Sequence, residues 1–381
     1  MTIDLKSLGE KLTRYREQLT ESIDEVSGAT GIATDRLSAI EAGALEATGD
    51  EVLILADHYR CDYKFFISNE RVAPFDETET LYRAHGSDFS KSDRRAIQDF
   101  LYLCETEAFL LHELGRAGID FTYVPVSSNH KRNGEHAAAA LRAALGYSDN
   151  EVPRNVYEEF RRAGVHVFRR KLGNSNISGL FIKHPVAGKC ALINYSEDIY
   201  RQRFSAAHEM GHALCDVDQV ASVSYVRQDG LDYREVGANR FASCFLMPPA
   251  FLTKLPSPSR WTDADAVHWA NELRVSCQAL GIALKSANLI DETAYRRISG
   301  LRVPRDAKLD PEFPQSLSST QLERKRHLLE LGLSDFYVGL CFDALHEGVI
   351  SIGRLAEAFL CSQAELMDIA TIYGRTLHVA H

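Results

Sequence analysis

The sequence predicts an α+β protein in three parts: an all-helical amino-terminal unit, a central region with a small sheet, and a helical carboxy-terminal region. Three observations carry this. Residues 1–68 read as a string of short, capped helices. The texture changes after Gly118, where short β-like apolar runs appear. Helical periodicity resumes at Tyr200 and again from Leu317 to the end. At 381 residues, 45% hydrophobic and 25% charged, the chain has a globular composition and exceeds one ordinary core.

Leu5, Leu8, Leu12 and Leu19 mark the apolar face of the first helix. Ser22 caps a second that runs through Ile23 and Val26 to Thr30, where Gly31 forces a turn. Thr34 is read as the cap of a third, through Leu37 and Ile40 to Gly43. A fourth follows from Asp50, with Val52, Leu53, Leu55 and Ala56 expected to be buried. Ser90-x-x-Asp93 opens a longer helix reaching Gly115. Next come the runs 165–168, 177–182 and 190–194, and 186–189 suggests a hairpin between the last two. Pro304, Pro311 and Pro314 make 302–315 look like a linker. Candidate boundaries are 1–69, a helical connector 70–118, a central domain 119–300, a linker 301–316 and a helical domain 317–381.

The polar start has no secretory core, and no run of eighteen apolar residues exists, so no membrane partner is expected. Eight cysteines are scattered without CxxC spacing, which fits reduced thiols and a cytoplasmic location. A net charge of −10 argues against a globally basic nucleic-acid binder.

The chemistry lies in His208-Glu209-Met210-Gly211-His212. On a helix, i and i+4 share a face, so both histidines reach one ion. Met210, Ala213, Leu214 and Val217 form a separate stripe for the core, whereas His208, Gly211, His212 and Cys215 form the ligand stripe. A catalytic zinc takes three protein ligands and leaves one open position. Glu235, on a second helical segment ending at Pro248-Pro249, is the best candidate for the third. Glu209 is then the catalytic base. Such a pentapeptide also arises by chance on amphipathic helices. The hairpin before it, the two-stripe helix and the Glu-x-x-Ala-Asn segment after it argue against chance. Either 177–182 or 190–194 is expected to be the sheet edge that holds an extended substrate.

Ile177-Ser178-Gly179, Leu192-Ile193-Asn194, Arg201 to Ser205, the HEMGH core, Glu235 to Ala242 and Leu246-Met247-Pro248 together resemble the ImmA/IrrE family of bacterial metallopeptidases. The resemblance covers roughly residues 120–295 and implies a zincin-like domain. It implies Zn2+ bound by His208, His212 and Glu235, and a protein substrate, typically a helix-turn-helix repressor cleaved under stress or during mobile-element induction. Ser205 departs from the threonine frequent there. The segment from Leu273 to Leu280 resembles the family's helical tail. Cys215, on the ligand face, is either a regulatory thiol able to occupy the open metal position or a small buried apolar residue.

Residues 5–68 resemble a Cro/repressor-type (XRE) helix-turn-helix, through Leu8 to Leu12, Gly31-Ile32, Leu37 to Gly43 and Leu53-x-Leu55-Ala56. The resemblance implies DNA contacts from the third helix, with Thr34, Asp35, Arg36, Ser38 and Ala39 as candidates. Residues 1–68 nevertheless hold 13 acidic and 7 basic residues. Only Lys6, Lys11, Arg14, Arg16 and Arg36 are placed to neutralise phosphates. Dimerisation, giving a homodimer, or protein docking are therefore alternatives to DNA. Residues 348–360 have a second helix-turn-helix flavour, with Ser351 as a cap, and equally suit a plain packing module.

Two functions compete. One is a regulatory zinc endopeptidase directed by its amino-terminal unit. The other is a DNA-binding regulator or antitoxin whose peptidase domain acts as a sensor. The intact set His208, Glu209, His212 and Glu235 favours the enzyme. A small-molecule zinc hydrolase has no supporting motif.

Overall fold

A computed structural model describes residues 3–68, 76–226, 232–313 and 317–377. Five helices make the amino-terminal unit: α1 (Leu5–Gln18), α2 (Ile23–Thr30), α3 (Thr34–Glu41), α4 (Gly49–Tyr59) and α5 (Tyr63–Ile67). Their apolar faces close on Leu8, Leu12, Tyr15, Leu37, Ile40 and Leu55 as a core of their own. Ser22 and Glu25 form a reciprocal capping box on α2, and Gly31 ends that helix with φ of 75°. Two expectations fail here. Thr34 is already helical, because Ala33 occupies the cap position without a side-chain bond. Leu53 is 52% exposed: three inward positions, Val52, Leu55 and Ala56, already fill this side of α4.

Helix α6 (Asp76–His85) leads into α7 (Lys91–Glu113), opened by the expected Ser90/Asp93 capping box. Two helices follow that the sequence reading had not resolved, α8 (His130–Ala144) and α9 (Val156–Arg162). The polar start of α8, His130-Lys131-Arg132-Asn133, hides an apolar face of Ala137, Ala138 and Leu141.

Strands β1 (Val165–Arg170), β2 (Ile177–His184), β3 (Gly188–Asn194) and β4 (Ala221–Tyr225) form one sheet in the order β1-β3-β2-β4. The expected hairpin joins β2 to β3, whereas β1 lies parallel to β3. Strand β4 pairs antiparallel with β2 and takes the outer position. Both strands proposed as the edge are therefore interior, and that expectation is corrected. The reason is β4, whose Ala-Ser-Val-Ser-Tyr alternates apolar and polar residues over only five positions and which the sequence reading missed.

Helix α10 (Ile199–Cys215) lies between β3 and β4, and α11 (Tyr233–Leu246) crosses it. The remaining helices are α12 (Pro249–Leu252), α13 (Asp263–Glu272), α14 (Cys277–Ser286), α15 (Glu292–Gly300), α16 (Ser319–Glu330), α17 (Asp335–His346), α18 (Ile352–Ala358) and α19 (Gln363–Ile372). Leu273 to Ser276 turns between α13 and α14, with Arg274 at φ of 53°, so the expected helical tail is two helices.

The sheet is the middle of three layers. Val165, Val167, Ala191 and Ile193 face a core built with α8 to α11 and α13 to α15. Phe168, Leu180, Ile182, Cys190 and Leu192 face the opposite core, shared with α7 and α17 to α19. The proline-rich stretch before α16 is fastened to the sheet, since Asp310 accepts from both terminal nitrogens of Arg169 at 2.7 and 3.1 Å. Pro314 lies outside the described residues. The α+β class stands. Among the described residues no helix is long and apolar enough to cross a membrane.

Candidate metal centre

Helix α10 is anchored before it reaches the site. Asp198 caps its first turn. Fully buried Arg203 donates to the carbonyls of Pro153, Arg154 and Arg274 at 2.8, 2.7 and 3.1 Å, tying two loops to the helix. Met210, Ala213 and Leu214 face the core as the sequence stripe predicts, but Val217 lies beyond the helix end and is 55% exposed.

The close crossing of α10 and α11 rests on Gly211. A β-carbon there would lie 2.9 Å from the Ala238 Cα, so a larger residue would force the helices apart. This approach brings the first turn of α11 over the ligand face. His208 Nε2 and His212 Nε2 are each 3.1 Å from a different Glu235 oxygen and 3.0 Å from one another. Among the described residues these three side chains are the one group of His, Cys, Asp or Glu able to hold a metal ion.

Each histidine is gripped from behind. His212 Nδ1 is 2.6 Å from Asp216 Oδ2, and His208 Nδ1 is 3.1 Å from Asn239 Oδ1. With Nδ1 engaged, both rings turn Nε2 to the same point. Burial opposes the charged form of His212, yet Asp216 and Glu235 lift its pKa to about 10. Burial also opposes ionised Glu235, but hydrogen bonds from His208 and His212 outweigh it and hold that carboxyl well below the ordinary range.

Glu209 stays outside this triangle. It is fully buried, and neither carboxylate oxygen has a hydrogen-bond partner of good geometry. Burial pushes its carboxyl up, while nearby His208 and His212 pull it down. A β-carbon at Gly179 of β2 would stand 2.8 Å from Glu209 Oε1, so glycine makes the room for this side chain. Ser224 of β4, opposite Gly179, also lies beside Glu209. Two nitrogens and a carboxylate oxygen are a donor set that zinc accepts. A partnerless buried carboxylate beside them is what a general base requires. The residues fit the metal.

Cys215 does not join them. It packs against the core, close enough to Tyr123 to perturb that phenol, and burial raises its thiol pKa to about 12. Without a metal ion to ionise it, the thiol stays protonated, as for a small apolar residue packed on the core.

The candidate DNA residues do lie together on α3, but the only cation among them is spent. Arg36 forms a forked pair with Glu51. Thr34 donates to Asp24 at 3.2 Å and Ser38 back to the Thr34 carbonyl at 2.9 Å, while Asp35 is exposed. Lys11 is buried against the carbonyls of Phe65 and Ser68, Arg14 pairs with Glu79 and Arg16 with Glu41. Lys6 keeps only a long contact to Glu10 at 3.9 Å.

Sequence reading missed Asp216, Asn239, Ser224 and the whole of β4. A signal for the first two existed: Asp216 is four residues after His212, and Asn239 four after Glu235, each one helical turn along the same face.

A helix carrying paired histidines and a glutamate, crossed by a second helix carrying a carboxylate, defines a metallopeptidase-type site. The model of peptidase family M78, described as the IrrE N-terminal-like domain, matches residues 160–285, about a third of the chain. The match contains the whole of the triad and Glu209, so this region is an IrrE-like, metallopeptidase-type domain. No curated protein matches the chain.

Proposed function

We propose that the chain is a zinc-dependent endopeptidase that cleaves a protein, with a repressor or antitoxin-like substrate as the resemblance implies. The observation that carries this is the convergence of His208, His212 and Glu235 beside partnerless, buried Glu209. His208, His212 and Glu235 would hold the ion. Bound zinc would supply Lewis-acid polarisation of the scissile carbonyl and acidify the attacking water. Glu209 receives the proton from that water and returns it to the leaving amine. Strand β4 replaces the two interior strands as the docking edge. It borders Glu209 through Ser224, and its outer side has no partner strand among the described residues. An extended substrate adds there as a further strand.

The amino-terminal unit serves this enzyme as a docking module for protein. Its acidic balance and the internal pairing of Arg14, Arg16 and Arg36 favour that over DNA. Metal analysis of the purified chain is the direct test, with near one zinc expected per chain and loss in H208A and H212A. Full retention in both variants would remove the site.

A further inference from the structure

The two histidines that face the candidate ion are backed by different chemistry. His212 Nδ1 meets a carboxylate, Asp216, at 2.6 Å, and that side chain is only 5% exposed. His208 Nδ1 meets an amide oxygen, Asn239, at 3.1 Å. We propose that Asp216 is a positioning residue that makes His212 the dominant histidine ligand, and that Asn239 gives His208 a weaker version of the same support.

Asp216 is placed for this by the end of α10. It is the cap residue, one turn past His212, and its own backbone N–H donates to the His212 carbonyl at 3.0 Å. Its carbonyl accepts from Gln219 at 2.8 Å, closing the turn that leads into β4. Both backbone groups of the residue are therefore fixed, which sets where its side chain starts, and the carboxylate is buried against the His212 ring. A carboxylate accepting the Nδ1 proton selects the tautomer with a bare Nε2 and makes that nitrogen a stronger donor to a cation. An amide oxygen orients the ring equally well but adds no charge. The asymmetry in distance runs the same way as the asymmetry in charge.

The inference rests on the metal reading above, and its test separates the two. Zinc affinity is measured on the full chain by competition with a chromophoric chelator at fixed pH, for wild type, D216A, D216N and N239A. D216A is expected to weaken zinc by about 10- to 100-fold, D216N by less, and N239A by less than D216A. In zinc-loaded wild type, nitrogen-15 histidine spectra should show a His212 Nδ1 proton protected from solvent exchange, and D216A should lose that protection. D216A within twofold of wild type, N239A weaker than D216A, or an unprotected proton in wild type overturns the assignment. Should D216A fail to fold, D216N binding zinc as tightly as wild type overturns it equally. A wild-type chain without zinc affinity sinks the metal reading itself, and this inference with it.

Discussion

At the scale of single residues, the site separates holding from proton transfer. Glu235 touches both histidines, whereas neither of the buried Glu209 oxygens has a hydrogen-bond partner of good geometry. E209Q is therefore expected to keep the metal and lose proteolysis by about 10²- to 10⁴-fold, the usual worth of a positioned general base. E235A should lose both. Side-by-side metal analysis and cleavage assays check this, and wild-type cleavage by E209Q would refute the role. His208 and His212 were legible because helical spacing alone places them on one face, whereas Glu235, on another helix, was read from its segment and the family resemblance. Leu53 and Thr34 were misread because a local pattern does not say which of several neighbouring positions meets the core or begins the helix. Cys215 shares the ligand stripe on paper and packs against the core beside Tyr123.

At the scale of elements, the decisive contact is the crossing of α10 and α11. G211V places two methyl groups where the Ala238 backbone already stands, and something must shift. The expected result is displacement of Glu235, with zinc affinity lost while the far-ultraviolet circular dichroism stays near wild type. In the amino-terminal unit, the Arg36 pair joins α3 to α4. Its hydrogen bond to Arg36 pulls the Glu51 carboxyl down to about 2. Because the folded pKa lies below the unfolded one, the stabilisation is present above the unfolded value near 4.5 and disappears as pH falls towards 2. The pair is half-buried at the surface and partly screened by solvent, so the effect is modest. R36M should flatten the acid limb of this unit's thermal melting between those pH values, which a melt series on both proteins reads directly. The element missed altogether, β4, shows where pattern reading stops. Ala221, Val223 and Tyr225 alternate with Ser222 and Ser224, a period-two signal that is there to read but spans only five residues beside a helix end.

At the scale of the whole molecule, the sheet is held from both sides, and the helices after residue 316 belong to one of those sides. Leu328, Tyr337, Phe342, Phe359 and Leu366 share a core with Phe100, Leu103 and Leu192. A chain stopped at 316 uncovers that face and is expected to aggregate, whereas deletion of residues 1–68 removes a unit with its own core and leaves the rest folded. Sedimentation of the two truncated proteins distinguishes these outcomes. The three-part division read from sequence rests on helical texture, which cannot reveal that two parts distant in the chain meet across a sheet.

The start of α7 has a further consequence. Arg94 donates to the last turn of α1 at Gln18, Arg95 to the His58 carbonyl and to Glu21, and Lys91 pairs with Glu25. The same helix continues beneath the sheet. The first five helices are thus mounted on a rod that is part of the body carrying the candidate metal centre. If these helices dock the substrate as proposed above, a captured molecule would be held at a set span and bearing from the candidate metal centre. Its effective concentration there would be high for a bond at that span and fall steeply for a bond nearer or farther. On that proposal the mount is a ruler.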